Sequence, residues 1–120
     1  RADSQAELPI EYANYFDVSR YVRNSIPESS IVCTVKPSLF YLYSSKTSSR
    51  IPSLIDKEDF ILRLEELGIT HVVVDQLGYS SVGRYLLPVI QEFPERFNLI
   101  LQLPNPDTYL LEFNPKKEDL

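Results

Sequence analysis

Apolar residues recur at helical spacing in the segment that follows Pro9. They fall three, four and seven residues apart, the spacing of one helical face: Tyr12, Tyr15, Phe16, Ser19, Val22 and Ile26. Pro27 ends this predicted helix. A continuous run rich in β-branched residues over Ile31–Val35 then predicts a strand that is buried on both faces, as strands of parallel sheets are.

The segment after this strand is less regular. Residues 38–43 (Ser-Leu-Phe-Tyr-Leu-Tyr) are interpreted as a short helix opened by Ser38. Residues 44–49 are small and polar, which predicts a loop or the start of a weak edge strand. Arg50 and Ile51 are expected to pair before Pro52 ends the ladder, because proline has no N–H to donate.

The middle of the chain predicts a helix followed by a second central strand. Asp56 is placed to cap a helix whose inner face carries apolar residues at helical spacing, and Gly68 lies where a left-handed residue ends it. These apolar positions are Phe60, Ile61, Leu64 and Leu67. The apolar run His71–Asp75 follows as a buried strand.

The last third predicts one interrupted helix and two strands. A helix starts at Ser80 or Ser81, and Pro88 in its interior is expected to kink or split it. Residues 97–103 and 108–113 form strands joined by the turn Pro104-Asn105-Pro106-Asp107, in which every residue favours turns.

These elements predict an α/β fold, a three-layer Rossmann-like sandwich with a mostly parallel five-stranded sheet and a C-terminal antiparallel edge hairpin. The expected strand order is 2-1-3-4-5, with the last strand at one edge. A single domain is expected over residues 9–114, between a flexible lead-in (1–8) and a charged tail (115–120). In this order the strands that end at Val35 and Asp75 flank a topological switch point, where open α/β sheets bind ligands.

Composition removes several function classes. The chain has 120 residues and a net charge of −5, which argues against nucleic acid as a partner because phosphate backbones require a dense basic face. One cysteine, one histidine and three glycines leave no disulfide, zinc cage or glycine-rich phosphate cradle. No membrane-spanning run, leader peptide or initiator Met is visible, so the chain is expected to be a fragment of a longer protein.

Asp75 is the most prominent candidate for chemistry, since it ends a buried strand beside the predicted switch point. Phospho-acceptor receiver domains carry an aspartate there, but they also need an acidic pair after the first strand and a lysine near the last strands. Here the first strand ends in Thr34-Val35-Lys36 and the last-but-one strand ends in Gln102-Leu103-Pro104, so both requirements of a receiver site are missing. The favoured interpretation is an Asx turn from Asp75 to the backbone of Leu77 or Gly78.

Cys33 and His71 are interpreted as structural residues. Cys33 lies inside an apolar strand, where a thiol behaves as a small hydrophobe, and His71 opens a strand without a Cys, His or carboxylate pair nearby. The sequence therefore predicts no catalytic residues, no metal site and no cofactor. A candidate crevice is formed instead by Lys36, Arg50, Asp75 and Tyr79, with Lys46 in the same loop system, where cations would meet phosphate or carboxylate groups.

The order of several short motifs resembles a known family. They are Pro27-Glu28-Ser29-Ser30-Ile31-Val32, Lys36-Pro37, Tyr41-Leu42-Tyr43-Ser44, Leu67 through Asp75, Tyr85-Leu86-Leu87-Pro88 and Phe93-Pro94-Glu95-Arg96-Phe97. In this order, over about residues 10–113, the chain is similar to the soluble C-terminal domain of bacterial polytopic glycosyltransferases that resemble dolichyl-phosphate-mannose–protein mannosyltransferases. Such domains often read Ser-Gly-Arg where this chain has Ser44-Ser45-Lys46.

The resemblance implies a non-catalytic accessory domain on the extracytoplasmic, periplasmic face of a bacterial membrane. In that family the chemistry belongs to the membrane part, so the expected roles are to assist acceptor binding or to cover the active-site face. The implied partners are the membrane-spanning part of the parent chain and a lipid-linked sugar or acceptor, with the fragment itself monomeric. A free-standing ligand-binding module and a protein-interaction module remain open as alternatives.

Overall fold

A computed structural model describes residues 8–115 of the protein. The predicted lead-in and tail lie outside the described residues, apart from Leu8 and Pro115. The helices are α1 (Ile10–Ser25), α2 (Pro37–Ser44), α3 (Lys57–Glu66) and α4 (Leu87–Glu92), with a π-helical turn at Val82–Leu86 and a 3-10 turn at Pro94–Arg96. The strands are β1 (Ile31–Cys33), β2 (Thr47–Ser49), β3 (His71–Val74), β4 (Phe97–Leu103) and β5 (Thr108–Phe113).

The strands form one open mixed sheet in the order β2-β1-β3-β5-β4. Strands β2, β1 and β3 are parallel, and β5 runs antiparallel to both β3 and β4. The mixed α/β class and the antiparallel C-terminal hairpin are therefore confirmed. The predicted order 2-1-3-4-5 is wrong in its last two positions, because β5 is inserted beside β3 and β4 takes the edge.

Burial explains why β5 lies inside the sheet. Leu110 faces one side of the sheet and Leu111 and Phe113 face the other, and all three are buried. A strand with apolar side chains on both faces requires cover on both faces. By contrast, Leu99 and Ile100 of β4 are 55% and 37% exposed, which suits an edge position.

Helices cover both faces of the sheet. α1 and α2 pack on one face around Tyr15, Phe40 and Val73. α3, the π-helical turn and α4 pack on the other, in a core built from aliphatic side chains together with Phe60, Phe97 and Phe113.

Local signals explain most helix boundaries. The Asp56 side chain accepts a hydrogen bond from the backbone N–H of Asp59 at 2.9 Å and caps α3, and Gly68 follows that helix with φ of +69°. Pro88 was expected to kink or split the last helix; the helix instead continues through it and changes from π-helical to α-helical geometry at Leu87, whose N–H donates to the carbonyl of Val82, five residues earlier.

Two predicted boundaries between β1 and α3 are wrong. α2 begins at Pro37, and Lys36 occupies the cap position without a side-chain cap, so Ser38 does not open the helix. Arg50 and Ile51 follow β2 and do not belong to its ladder. Ser45 ends α2 with φ of +58°, a left-handed conformation that glycine adopts at less cost.

Candidate functional site

The candidate site lies at the carboxyl ends of β1 and β3. These strands are parallel neighbours with Val32 opposite His71 and Cys33 opposite Val72, so the residues that follow each strand share one edge of the sheet. The chain leaves β1 toward α2 on one face and leaves β3 toward the π-helical turn on the other. The point between them is a topological switch point, which brings Lys36 and Asp75 to the same opening. This opening, bordered by Tyr12, Lys36, Asp75 and Tyr79, is called the mouth below.

Lys36, Tyr79 and Tyr12 form a connected polar group in the mouth. The Lys36 ammonium lies 4.7 Å from the centroid of the Tyr79 ring, within cation–π range. The side-chain hydrogen bond between Lys36 and Tyr79 lowers the pKa of Tyr79, and the same bond raises the pKa of Lys36. A hydrogen bond with Tyr79 also raises the pKa of Tyr12. Tyr79 is 45% exposed, so this group is presented to solvent.

Asp75 lies beneath this group and is only 4% exposed. Its Oδ1 accepts a hydrogen bond from the backbone N–H of Leu77 at 3.0 Å, which confirms the expected Asx turn. Its Oδ2 is buried and has no hydrogen-bond partner among the described residues. Burial consequently raises the pKa of the Asp75 carboxyl group. Lys36 and Asp75 share the mouth, but the described residues contain no ion pair between them.

The end of β1 is fixed from α1. The Tyr15 hydroxyl shares a hydrogen bond with Thr34 Oγ1 and donates to the carbonyl of Lys36 at 3.3 Å. Burial raises the pKa of Tyr15, so its hydroxyl stays protonated as a donor. Tyr15 thereby holds the backbone from which the Lys36 side chain projects.

The β4–β5 turn forms a further wall at this edge. Asn14 of α1 donates its Nδ2 hydrogens to the carbonyls of Pro104 and Pro106 at 3.2 Å and 3.0 Å. Gln76, directly after Asp75, donates its Nε2 hydrogen to the Asp107 carbonyl at 3.1 Å. Side chains from α1 and from the loop after β3 therefore tie the turn to the mouth.

The other two cations of the predicted crevice behave differently. Arg50 follows β2 at the same edge of the sheet and is exposed, but it makes no hydrogen bond or ion pair with Lys36, Asp75 or Tyr79 among the described residues. Lys46 precedes β2 and therefore lies at the opposite edge, where it is only 1% exposed. Its Nζ donates to the Arg23 carbonyl at 3.1 Å and lies 3.5 Å from Glu28 Oε2. Lys46 holds the end of α1, and its predicted place near the mouth is wrong.

Sequence reasoning missed three residues of this site: Tyr12, Tyr15 and Thr34. The helical spacing placed both tyrosines on one face of α1, as core or docking residues, and of the two only Tyr15 is fully buried, while Tyr12 borders the mouth. The usable signal was the position of Thr34 at the end of β1, because a hydroxyl at the end of a buried strand needs a partner from a covering helix.

Cys33 and His71 are both buried, at 0% and 6% exposure. Burial raises the pKa of the Cys33 thiol to about 12 and lowers the pKa of His71. His71 Nδ1 shares a hydrogen bond with Thr70 Oγ1 at 2.8 Å. Within residues 8–115, no three or more His, Cys, Asp or Glu side chains are grouped so that they could hold a metal ion.

Cys33 is expected to resist thiol reagents in the folded protein. Its side chain is buried and its raised pKa suppresses the reactive thiolate at neutral pH. Mass spectrometry after treatment with iodoacetamide should show an unlabelled native chain and a fully labelled chain in denaturant. Rapid labelling under native conditions would contradict this structural role.

Comparison with known proteins identifies a similar fold. No protein-family model matches the chain, and no curated protein sequence matches it. Among solved structures, it is similar to the crystal structure of the C-terminal globular domain of an oligosaccharyltransferase from Archaeoglobus fulgidus. The two share 10% identity with a TM-score of 0.54, over 90% of this chain and 99% of that one. Within the described residues, no helix is both long and apolar enough to cross a bilayer.

Proposed function

We propose that this chain is a non-catalytic accessory domain of a membrane-embedded glycosyltransferase-like protein. The observation that carries the proposal is the similarity of fold to the C-terminal globular domain of an oligosaccharyltransferase, which extends over almost the whole of both chains. The order of the motifs from Pro27 to Phe97 adds independent support from the sequence. In this proposal the domain lies on the extracytoplasmic, periplasmic face of a bacterial membrane, against the membrane-spanning part of its own parent chain.

The mouth is the part of the domain proposed to meet a ligand. The polar groups at its opening are the half-buried Lys36 ammonium and Tyr12 phenol and the exposed Tyr79 phenol, which bind phosphate, carboxylate or hydroxyl groups by charge and hydrogen bonding. The only thiol and the only imidazole of the chain, Cys33 and His71, are both buried. This chemistry suits a domain that holds an acceptor or a lipid-linked sugar while another part of the protein carries out the transfer.

The first test is the reading frame that precedes Arg1. The proposal expects about eight or more hydrophobic segments, each of about 20 residues, upstream of this domain. A reading frame without such segments would contradict the membrane parent. It would favour the second candidate, a free-standing ligand-binding module, whose support is the buried Asp75 Oδ2 at the switch point, which finds no hydrogen-bond partner within residues 8–115.

Lys36→Glu in the full-length protein should reduce sugar transfer about fivefold or more, since reversing a charge at an anion site loses an attraction and adds a repulsion. The isolated domain should melt within about 4 °C of the unchanged domain, because Lys36 is only half-buried and makes no ion pair among the described residues. Glycan transfer in membranes and thermal melting by circular dichroism measure the two effects on the same substitution.

Lys57→Glu is the matched control for this test. Lys57 is an exposed cation at the start of α3, on the other face of the sheet. Its Nζ lies 3.9 Å from Glu92 Oε1. Its reversal should leave transfer unchanged. Equal losses from both variants, or no loss from Lys36→Glu, would show that the mouth serves only the fold.

A further inference from the structure

The outward side of α2 differs from that of the other surface helices. Its large exposed residues are Tyr41, Leu42 and Tyr43, at 57%, 66% and 38% exposure, and the helix carries no charge. The exposed side of α3 is charged in the usual way, with Lys57, Glu58, Asp59, Arg63 and Glu66. An uncharged aromatic side facing solvent is therefore a property of α2 and needs its own explanation.

The same part of the chain contains no acidic residue. Asp and Glu number 17 in the whole protein, yet none occurs between Glu28 and Asp56, where the cations are Lys36, Lys46 and Arg50. Lys46 is buried, and Lys36 is half-buried with its ammonium over the Tyr79 ring, so Arg50 is the exposed cation of this stretch and Lys36 lies at the same edge of the sheet, at the mouth. An otherwise acidic protein thus has one stretch that an anionic surface does not repel.

α2 and β2 form this surface together. An open pocket of about 430 Å³ joins them, lined by Pro37, Ser38 and Tyr41 of α2 and by Thr47 and Ser48 of β2. Lys36 precedes α2 and Arg50 follows β2, so the two cations lie at the borders of this uncharged area. On the neighbouring helix α1, the carboxylate of Asp17 is paired with Arg20. We call this area the α2–β2 surface.

We propose that the α2–β2 surface binds the interfacial region of an anionic lipid bilayer. Leu42, the most exposed of these three residues, enters the boundary between headgroups and acyl chains. The Tyr41 and Tyr43 rings lie at headgroup level, where amphipathic aromatic residues accumulate. Lys36 and Arg50 attract the lipid phosphates. The surface is uncharged at its centre and basic at its border, which is the composition of interfacial membrane contacts.

This inference goes beyond the accessory-domain proposal and does not depend on it. A domain attached to any membrane anchor gains local concentration at the bilayer, so a weak lipid contact suffices to orient it. Such a contact would leave the mouth, at the carboxyl edge of the same sheet, in a fixed orientation relative to the membrane.

The test uses the 120-residue chain and sedimenting phosphatidylcholine vesicles that contain about one third phosphatidylglycerol. Binding is expected to the mixed vesicles, to weaken toward pure phosphatidylcholine, and to fall as salt is added. Leu42→Asp should reduce the partition coefficient about tenfold or more. Arg50→Glu should reduce it about fivefold or more. Circular dichroism on each variant checks that the fold is retained.

Leu62→Asp provides a matched control. Leu62 is 55% exposed on α3, across the sheet, and its substitution introduces the same charge as Leu42→Asp. The control should bind vesicles like the unchanged protein. No binding of the unchanged protein at millimolar lipid, or an equal loss from both aspartate variants, would overturn the proposal. A dimer that Leu42→Asp dissociates would also overturn it, because the surface would then join copies of this chain.

Discussion

Replacing Phe40 with alanine should lower the free energy of unfolding by about 3–5 kcal/mol, the usual cost of truncating a buried aromatic residue. Phe40 is fully buried, and the centroid of its ring lies 5.5 Å from that of the Tyr15 ring in an edge-to-face arrangement. It attaches α2 to the sheet and supports the helix that fixes the end of β1. The whole free energy of unfolding of a domain of this size is about 5–15 kcal/mol, so this loss is a large part of it. Urea unfolding followed by circular dichroism measures it.

Tyr41→Ala is the neighbouring control. Tyr41 is 57% exposed, and its truncation should change the free energy of unfolding by about 0.5 kcal/mol or less. If Phe40→Ala does not fold, Phe40→Leu keeps most of the volume and should cost less than the alanine variant. Equal losses at positions 40 and 41 would contradict the orientation of α2. Loss of vesicle binding by Tyr41→Ala without loss of stability would separate the lipid contact from packing.

The sequence predicted elements best where hydrophobic spacing and a terminating residue agree. α1, α3, β4 and β5 were located within a residue or two, because Pro27, Gly68 and the turn 104–107 mark their ends. α2 and β2 were less certain, because both are short and α2 carries apolar residues on its exposed as well as its buried side. Spacing alone then does not show which side of the helix faces the core.

The strand order depends on information that the pattern did not supply. The chain passes from β3 through α4 to β4, leaves one position in the sheet open, and fills it with β5 by a hairpin. Both orders satisfy the hairpin connection. Burial explains the observed order. β5 carries apolar side chains on both of its faces and these need cover from neighbours, whereas β4 leaves Leu99 and Ile100 exposed.

The candidate site was predictable where strand direction determines it. Lys36 and Asp75 each follow a parallel strand, so a common edge was expected from the order of β1 and β3 alone. Tyr12 was not predicted at the mouth, because helical spacing does not distinguish a core position from a border position. Lys46 was wrongly predicted near the mouth. It precedes β2 whereas Arg50 follows β2, and the amino and carboxyl ends of a strand lie at opposite edges of the sheet.

Asp75 combines two properties that oppose stability at neutral pH. Its carboxyl group is buried, and Oδ2 has no hydrogen-bond partner among the described residues. The titratable groups around it are Tyr12 and Tyr15 from α1, Lys36 after β1 and Tyr79 from the following loop, whose ordinary pKa values are about 10. None of them forms an ion pair with Asp75, so ionisation of the carboxyl group costs free energy that these neighbours do not offset.

Asp75→Asn should therefore raise the free energy of unfolding at pH 7 by about 1–2 kcal/mol, because a neutral unpaired group costs less to bury than a charged one. The asparagine oxygen still accepts from the Leu77 N–H.

The raised pKa means that the folded state holds the Asp75 proton more tightly, so the stability contributed by this group is complete below about pH 4 and decreases as pH rises through the folded-state pKa. Urea unfolding of both proteins from acid to neutral pH should show a difference that grows with pH, in which the contribution of His71 cancels. Asp59→Asn, which removes the charge of an exposed carboxylate, serves as the control. A variant less stable than the unchanged protein at pH 7 would mean that the Asp75 carboxylate is compensated in the fold; a more stable one would mark Asp75 as a residue kept at the mouth despite its cost, as expected of a group that meets a ligand.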